Sequence, residues 1–516
     1  MTPLPLEPHL DDVEIQGNVL LAFNKPCQVF VPLYFDGADA ESVKVWLAGV
    51  SSKVTSTRQM ILFREKLREA RAGGAPLDVA STPIWLNLSF SFQGLAKLTP
   101  EAEQFKDARF RGGLAIASAR LRDPIGDGPG APATWKFGGP GDEPDALAVI
   151  AGDSVSRVAE NVETFIAKAE AHGLAAKSPE MGKDLSLEGG EPQTEHFGFK
   201  DGVSQPGVRG FWRSFPQRHV TARKTRPAAD IVSVSFAEPG KPLICAGEFV
   251  FGYPRQSDAF GSIPAPAYPL GADAGSVAPE WARNGSFLVY RRLRQDVAAF
   301  KDFLAQQSKA LQAAGETSIT DALLGAMFVG RWKSGAPIIR HPNADPGLTD
   351  DLQDFGFVDD VGARKCPAAA HIRKVNPRNL TTEQGGPVRT LFHRMLRRGI
   401  PYGSIFDANK QDAEPIDRGL LFLAYQANIG EQFEFVTSNW ANAKRRPHTP
   451  DSNWGQDMVI GRGPRNEGGS RFFVFDRGIR RTVDTSGASV MDWVTPTGGG
   501  YFFTPGISAI REALSA

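Results

Sequence analysis

The stretch Ile84-Trp85-Leu86-Asn87-Leu88-Ser89-Phe90-Ser91-Phe92 alternates apolar and polar side chains from Leu86 onward. This period of two residues is typical of a half-buried β-strand. Residues 28–35 alternate in the same way, residues 40–50 between the two strands have a helical composition, and a short helix is predicted over residues 95–98. The order strand, helix, strand, helix within roughly a hundred residues predicts an α+β unit with an antiparallel sheet.

The second half of the chain repeats this pattern without repeating the sequence. Residues 420–426 form a continuous apolar run, which is typical of a strand buried on both faces. A region rich in Pro, Gly and Arg, residues 206–241, separates the halves, so we predict one domain over residues 1–240 and a second over residues 241–516. The other elements predicted from periodicity are strands over 287–291, 471–475 and 499–503 and helices over 154–172, 295–307 and 430–442.

The size and composition of the chain favour a soluble protein of two domains. Its 516 residues exceed the size of one ordinary hydrophobic core. A content of 41% hydrophobic and 22% charged residues is typical of a globular protein. Lys plus Arg and Asp plus Glu both total 58, so the formal net charge is zero. We therefore expect neither nucleic acid nor an anionic membrane as a partner.

The distribution of cysteines and apolar residues excludes further classes of protein. Cys27, Cys245 and Cys366 are far apart and form no CxxC pair, which argues against zinc, an iron–sulfur cluster and a disulfide framework. Residues 1–12 contain prolines and acids where a secretory signal has a basic start and an apolar run. No apolar run reaches the roughly 18–20 residues that span a bilayer. These features predict a cytoplasmic protein that does not contact membranes.

One of the eight histidines, His371, lies in a sequence context that suits a haem ligand. A single histidine is more often a surface or core residue than a ligand, and none of the eight forms an HExxH motif. His371 follows the small residues Ala368-Ala369-Ala370, which allow a flat group to approach the backbone. Arg373, two residues later, is a candidate partner for a haem propionate. We predict that His371 binds haem iron, and such a ligand needs an acceptor for its other ring nitrogen.

Two further segments supply the polar groups that cleavage of a peroxide requires. A base must take a proton from the bound oxygen, an acid must return it to the leaving oxygen, and a cation must stabilise the developing negative charge. Asp201 lies in Gly198-Phe199-Lys200-Asp201-Gly202, where glycines allow close approach of the backbone to a ligand. Arg397 begins a basic segment that also contains Arg398. Asp201 is the candidate for moving the proton, and the arginines of the basic segment are the candidates for the cation.

Together these segments resemble those of the dye-decolorizing peroxidases, in particular the longer bacterial and fungal members. The resemblance extends from about Val13 to Ser508. It implies two ferredoxin-like α+β domains with antiparallel sheets, as in a dimeric α+β barrel, with haem b between them. The segments that carry it are F-G-F-K-D-G-V-S-Q-P (197–206), A-H-I-R-K (370–374) and R-R-G-I-P-Y-G (397–403).

The resemblance also nominates an acceptor for the histidine. In this family a carboxylate in a later segment accepts a hydrogen bond from the iron-binding histidine, and G-Q-D-M-V-I-G (455–461) offers Asp457. Asp451, Glu431 and Glu434 remain alternatives.

The family pattern assigns the arginines and two contacts of the cofactor. It places the distal arginine two positions before Gly399, which selects Arg397 and leaves Arg394 or Arg398 to face a propionate. The predicted contacts of the cofactor, besides the histidine and its carboxylate, include Gly202 and Phe422.

The implied activity is that of a haem peroxidase. Hydrogen peroxide would be the oxidant, and phenols, aromatic amines and anthraquinone or azo dyes would lose single electrons. Because bulky dyes cannot enter a small peroxide site, a surface Tyr or Trp would relay electrons, and we expect a monomer or a homodimer. The aromatic residues near the motifs are Tyr402, Trp440, Trp454 and Tyr501.

Two other classes of function remain open from the sequence. A haem-binding protein for storage, delivery or sensing would use His371 but would not need Asp201 and Arg397. A structural or cargo module that keeps the fold without haem would need none of the three residues.

Overall fold

The strands of the two sequence halves form one antiparallel barrel in the computed structural model of the protein. In the first half the strands are β1 (Cys27–Tyr34), β2 (Trp85–Phe90), β3 (Ala146–Gly152), β4 (Ala175–Ala176) and β5 (Glu180–Lys183). The structure describes residues 8–74, 81–211, 224–225, 235–238, 240–257, 264–350, 352–408, 417–447, 455–462, 471–476, 479–484 and 492–516.

Strands of the second half complete the barrel. The remaining strands are β6 (Gly207–Val208), β7 (Lys224–Thr225), β8 (Ser235–Glu238), β9 (Lys241–Ile244), β10 (Ser286–Gln295), β11 (Leu396–Arg397), β12 (Ile400–Tyr402), β13 (Gly419–Gln426), β14 (Arg471–Asp476), β15 (Ile479–Asp484) and β16 (Val494–Thr504). The order β2-β3-β1-β5 in the first half is joined to β12-β13-β10-β16 in the second. The two strand pairings that connect the halves are short, with Tyr402 opposite Gly182 in one and Phe503 opposite Phe90 in the other.

Helices cover the outside of the barrel. They are α1 (Gly17–Leu20), α2 (Ala40–Ser51), α3 (Thr57–Ala72), α4 (Phe92–Leu98), α5 (Ala108–Leu121), α6 (Val155–Glu170), α7 (Val297–Ala313), α8 (Asp321–Val329), α9 (His371–Val375) and α10 (Ile507–Ala509). Side-chain oxygens of Asp39, Ser56 and Ser154 cap the first turns of α2, α3 and α6. Such caps satisfy backbone N–H groups that have no partner within the helix.

The alternation along each strand separates two hydrophobic cores. On β1, Val29 and Val31 pack beneath the helices, whereas Phe30 lies inside the barrel with Tyr290 of β10 and Tyr425 of β13. A third core holds α7, α8 and the segment before α9 together. The candidate site therefore lies among elements that are fixed by extensive apolar packing.

The predicted strands 28–35 and 84–92 exist, but they are buried on both faces rather than half-buried. Every residue of β1 and β2 is buried. The polar positions of β2 face the barrel interior, where Ser89 and Thr504 are hydrogen-bonded through their hydroxyl oxygens at 2.6 Å. Closure of the sheet hides the polar face from water. The two faces of the strand therefore point to the core beneath the helices and to the inside of the barrel, and neither points to solvent.

Most other predicted elements are present with small shifts at their ends. The helix predicted over residues 430–442 is the main exception, because it forms two π-helical segments, Gly430–Glu434 and Val436–Ala441. The N–H of Asn442 accordingly donates to the carbonyl oxygen of Thr437, five residues earlier, at 2.9 Å. The predicted strand 471–475 pairs with β15 in a separate hairpin. The division of the chain at residue 240 stays a prediction.

A helix that crosses a bilayer needs about 20 mostly apolar residues. None of those in the described part of the chain is both long and apolar enough to cross it.

Candidate active site

His371 begins the short helix α9, and its ring is held by a buried carboxylate. The Nδ1 atom of His371 lies 2.7 Å from Oδ2 of Asp457, whose side chain is fully buried. The other oxygen of Asp457, Oδ1, accepts the backbone N–H groups of Val459 at 2.8 Å and Ile460 at 3.0 Å. With Nδ1 as the donor, the lone pair of Nε2 is left for a metal ion, since a neutral imidazole has one donor and one acceptor nitrogen.

Glu434, one of the alternative carboxylates for this role, is engaged elsewhere. Glu434 accepts hydrogen bonds from Arg120 at 2.5 Å and from the Tyr501 hydroxyl at 3.1 Å. The backbone carbonyl of Glu431 is hydrogen-bonded to His393 at 2.5 Å. Asp451 lies outside the described residues. Of the three candidates within the described residues, Asp457 is the one that the structure brings to His371.

Asp201 and Arg397 form an ion pair although 196 residues separate them. Nη1 of Arg397 donates to Oδ1 of Asp201 at 3.1 Å, and Nη2 donates to the carbonyl oxygen of Ser204 at 3.0 Å. The backbone of Arg397 exchanges two hydrogen bonds with the side chain of Gln205. Both members of the pair keep about 30% of their side-chain surface exposed, at 29% and 30%. The pair is therefore fixed in position and still open to a small molecule.

Two glycines make room around this pair. A Cβ atom at Gly399 would lie 3.1 Å from Oδ2 of Asp201, so a side chain there would press on the carboxylate. Gly202 has a φ of 71°, a conformation that favours glycine, and its N–H donates to Oδ1 of Asp201 at 2.6 Å. Both glycines, with Asp201 and Arg397, line a cavity of about 1140 Å³.

The three arginines within residues 394–398 have different surroundings. Arg398 donates to the carbonyl oxygens of Asn18, Val19 and Arg397. The guanidinium of Arg394 has no hydrogen-bond or ion-pair partner within the described ranges. Burial, together with the charge of Arg397, lowers the pKa of Arg394 to about 10. The side chain of Arg394 nevertheless keeps some accessible surface.

Arg373 does not join this group of cations. Its guanidinium donates to a carboxylate oxygen of Asp360 at 3.0 Å and to the carbonyl oxygen of Cys366 at 2.7 Å, and its side chain is 1% exposed. Two residues correspond to about 200° of rotation along a helix, so Arg373 and His371 point to different sides of α9. The contacts of Arg373 describe a packing role and give no support to the predicted propionate contact.

Phe422 is half-buried on β13. It packs towards the core beneath the helices, with its ring centroid 6.1 Å from that of Phe433. It is not among the described residues that line the cavity of Asp201 and Arg397.

Three of the four aromatic residues near the motifs are buried, so none of these three is a surface residue, while the expectation of a surface relay stays a prediction. Tyr402, Trp440 and Tyr501 are each at most 1% exposed. Tyr402 faces the barrel interior, the Trp440 indole N–H donates to Glu383 at 2.8 Å, and Tyr501 donates to Glu434. Trp454 lies outside the described residues.

Two supports of the Asp201 segment were missed by the sequence analysis. The hydroxyl of Ser204 accepts hydrogen bonds from Arg331 at 2.9 Å and from Arg378 at 3.0 Å. The half-buried carboxylate of Glu195 accepts the backbone N–H groups of Phe197 and Phe199. Ser204 lies within the quoted motif (197–206), so its position could have suggested a supporting role. Glu195 lies outside the motif, and nothing in a single sequence distinguishes it from other glutamates. These contacts fix the loop that carries Asp201.

The chain combines an antiparallel α+β barrel, a histidine that is hydrogen-bonded to a buried carboxylate, and an Asp–Arg ion pair. This combination indicates a haem-dependent peroxidase. Comparison with known proteins supports this class and narrows it. Residues 14–177 match the family model of the DyP dimeric alpha+beta barrel domain, and residues 274–449 match that of the Dyp-type peroxidase C-terminal domain. The chain belongs to the dye-decolorizing peroxidase family.

Relatives and solved structures agree with this assignment over nearly the whole chain. A dye-decolorizing peroxidase, msp1, from Mycetinis scorodonius is 33% identical over 98% of this chain and 88% of its own length. A multifunctional dye peroxidase, DyP2, from Amycolatopsis is 29% identical over 97% of this chain and 95% of its own length. The structure of an ancestral D-type dye-decolorizing peroxidase has a TM-score of 0.75 and 28% identity, covering 99% of this chain and all of that one. The predicted fold class and the predicted oxidoreductase activity are confirmed.

Proposed function

We propose that this chain binds haem b through His371 and uses Asp201 and Arg397 to cleave hydrogen peroxide, with aromatic compounds as reductants. The Asp201–Arg397 ion pair carries the proposal, because a protein that only stores or senses haem has no use for it. Relatives named for dyes and a related structure in complex with 2,6-dimethoxyphenol support phenols and dyes as substrates. A cytoplasmic location, and a monomeric or homodimeric state, remain part of this proposal.

The described residues fit a haem group. Nε2 of His371 has no hydrogen-bond partner within the described ranges, while Asp457 holds Nδ1. The buried residues before α9, Ala368–Ala370, are small. The unpartnered guanidinium of Arg394 suits a propionate, and it replaces Arg373 as our candidate for that contact. Gly202 and Phe422 stay predicted contacts of the cofactor.

Asp201 and Arg397 have different roles in the proposed reaction. Haem, when bound, supplies the iron at which peroxide is reduced. Asp201 takes a proton from one peroxide oxygen and returns it to the other, so the O–O bond breaks with water as leaving group. Arg397 stabilises the negative charge that develops on the departing oxygen and holds the carboxylate in place.

The proposal is tested by the absorption spectrum of the haem-loaded protein before and after one equivalent of hydrogen peroxide. In Asp201→Asn we expect haem to stay bound and the peroxide-dependent change to slow by about 10²–10⁴-fold. Asp184→Asn is the matched control, because Asp184 lines the same cavity but caps a short helical turn instead of pairing with Arg397. Equal rates in wild type and Asp201→Asn would contradict the assignment, and haem uptake without any response to peroxide would favour storage or sensing.

A further inference from the structure

Lys374 lies one helical turn after His371 on α9 and is a buried cation. It is 1% exposed, and none of the carboxylates within the described ranges lies within ion-pair distance of it. Its Nζ atom donates to the carbonyl oxygen of Ala443 at 2.6 Å and to that of Arg446. A neutral donor could bind a carbonyl oxygen at a lower cost of burial than a charged one. The two hydrogen bonds alone therefore do not explain why this position carries a charge.

Asp457 is a buried anion in the matching situation. It is 1% exposed, one of its oxygens accepts a hydrogen bond from His371, and the other accepts two backbone N–H groups. No lysine or arginine in the described part of the chain lies within ion-pair distance of its carboxylate. Opposite charges in a buried environment attract each other over distances longer than a hydrogen bond. Lys374 and Asp457 are thus candidates for each other's counter-charge.

Both charges are attached to the same end of the π-helical segment Val436–Ala441. The backbone N–H of Asp457 donates to the carbonyl oxygen of Ala441 at 2.9 Å, and Lys374 donates to carbonyl oxygens in the chain that follows. A Cβ atom at Gly461 would lie 2.4 Å from the carbonyl oxygen of Asp457 and 2.9 Å from that of Ala441, so the turn that carries Asp457 packs tightly against this end. The positions of the two charged side chains relative to each other are therefore fixed by backbone contacts.

The pKa of Lys374 reports the interaction between these charges. Burial lowers this pKa to about 7, and the charges of Asp457 and, to a smaller extent, Glu383 oppose the effect of burial. Glu383 accepts the indole N–H of Trp440 at 2.8 Å and has no hydrogen bond to His371 within the described residues. Of the two acids, Asp457 is the one that connects Lys374 with the predicted iron ligand.

We propose that Lys374 is a positioning residue of the haem site, which acts on the iron through Asp457. Its positive charge limits the negative charge that Asp457 transfers to His371 through their hydrogen bond. Because a more anionic histidine stabilises the oxidised iron, a cation behind the carboxylate raises the reduction potential. This inference rests on the proposed binding of haem through His371.

The inference is tested by spectroelectrochemistry of the haem-loaded protein at about pH 5, where Lys374 is protonated. In Lys374→Met we expect the equilibrium constant for reduction of the iron to fall about tenfold or more, which is about 59 mV for one electron. In resonance Raman spectra of the ferrous protein the iron–histidine stretching frequency should rise, because a more anionic imidazole binds iron more strongly. Lys365→Met, which removes an exposed charge from the loop before α9, is the control and should keep the wild-type potential.

A double-mutant cycle separates an effect through Asp457 from a direct effect of the charge on iron. In Asp457→Asn the carboxylate is already absent, so adding Lys374→Met should shift the potential by less than about half as much as it does in wild type. An equal shift in both backgrounds, or an unchanged potential in Lys374→Met, would overturn the inference. If Lys374→Met does not fold, Lys374→Gln tests the same loss of charge and keeps a donor for one carbonyl. Failure of wild type to take up haem would instead refute the proposed haem binding.

Discussion

Nδ1 of His371 and Oδ2 of Asp457 lie 2.7 Å apart, although 86 residues separate them in the sequence. The carboxylate is itself fixed, because two backbone N–H groups donate to its other oxygen. A buried acceptor of this kind sets the tautomer and the orientation of the ring before any ligand arrives, and it increases the electron density on Nε2. The affinity for haem and the reduction potential of its iron should both depend on this hydrogen bond.

Asp457→Asn tests that dependence. The amide keeps the shape of the side chain but loses the negative charge, so Nε2 should become a weaker donor to iron. We expect haem affinity to fall by about 10–100-fold and the reduction potential of the bound iron to rise. Haem titration and spectroelectrochemistry measure the two effects. Glu434→Gln is the control for a buried acid without contact to His371, and an equal shift of the potential in both variants would contradict a specific role for Asp457.

Arg394→Gln and Arg373→Gln should differ in their effects on haem affinity and on the stability of the haem-free protein. Within the described residues the partly buried guanidinium of Arg394 has no partner, so its removal should lower the affinity for haem and leave the haem-free protein as stable as before or more stable. Arg373 pairs with Asp360 in the interior. Its removal leaves a buried charge unpaired, which should lower the free energy of unfolding by about 3–5 kcal/mol.

Haem titration and urea unfolding of the haem-free protein separate these two profiles. If Arg394→Gln destabilised the haem-free protein as much as Arg373→Gln does, Arg394 would have a packing role and the propionate contact would be refuted.

Gly399→Ala should disturb the Asp201 carboxylate without removing any functional group. The added Cβ atom would stand 3.1 Å from Oδ2 of Asp201, closer than most Cβ contacts. The carboxylate would have to shift by a few tenths of an ångström relative to Arg397, and we expect a slower reaction with peroxide, by about tenfold or more. Stopped-flow absorbance measures this rate. Gly386→Ala, at a position with open space around it, should react at the wild-type rate.

The sequence predicted most strands and helices, but it did not predict which faces of the strands are buried. Alternation along β2 was taken as a sign of one buried face, yet Asn87 and Ser89 lie inside a closed barrel, where Ser89 is hydrogen-bonded to Thr504. Periodicity reports that two faces differ in chemistry, and it does not report whether the polar face meets water. Burial of the polar face followed from the pairing of distant strands, which no local pattern contains.

Short motifs predict the candidate site, and the lack of structural support for a propionate contact at Arg373 has a geometric cause. Nearness to His371 in the sequence suggested a shared ligand, but a helix turns residues i and i+2 to different sides. Within the described residues Arg397 pairs with Asp201 and Arg398 donates to backbone carbonyls, whereas the guanidinium of Arg394 has no partner. Such a property belongs to the packed structure and has no counterpart in spacing or composition.

Glu143→Gln should alter how the stability of the protein depends on pH. Burial, with a smaller effect of the Asp145 charge, raises the pKa of Glu143 to about 7. The unfolded chain has a pKa of roughly 4.3 for this group, so between these values the folded state binds more protons than the unfolded state. The stability of wild type should therefore fall as pH rises from about 4.3 through 7. Gln cannot titrate, so the variant should lack this share of the decline, about 1–3 kcal/mol.

Urea unfolding of the haem-free proteins at several pH values between about 4.5 and 8 measures this difference. At the low end the carboxyl is protonated in the folded state, and the two proteins should have similar free energies of unfolding. At the high end Glu143→Gln should be the more stable protein, because wild type must keep a buried charge near Asp145. Glu163→Gln, on the exposed face of α6, is the control and should follow the wild-type curve. Parallel curves for wild type and Glu143→Gln would show that Glu143 titrates normally.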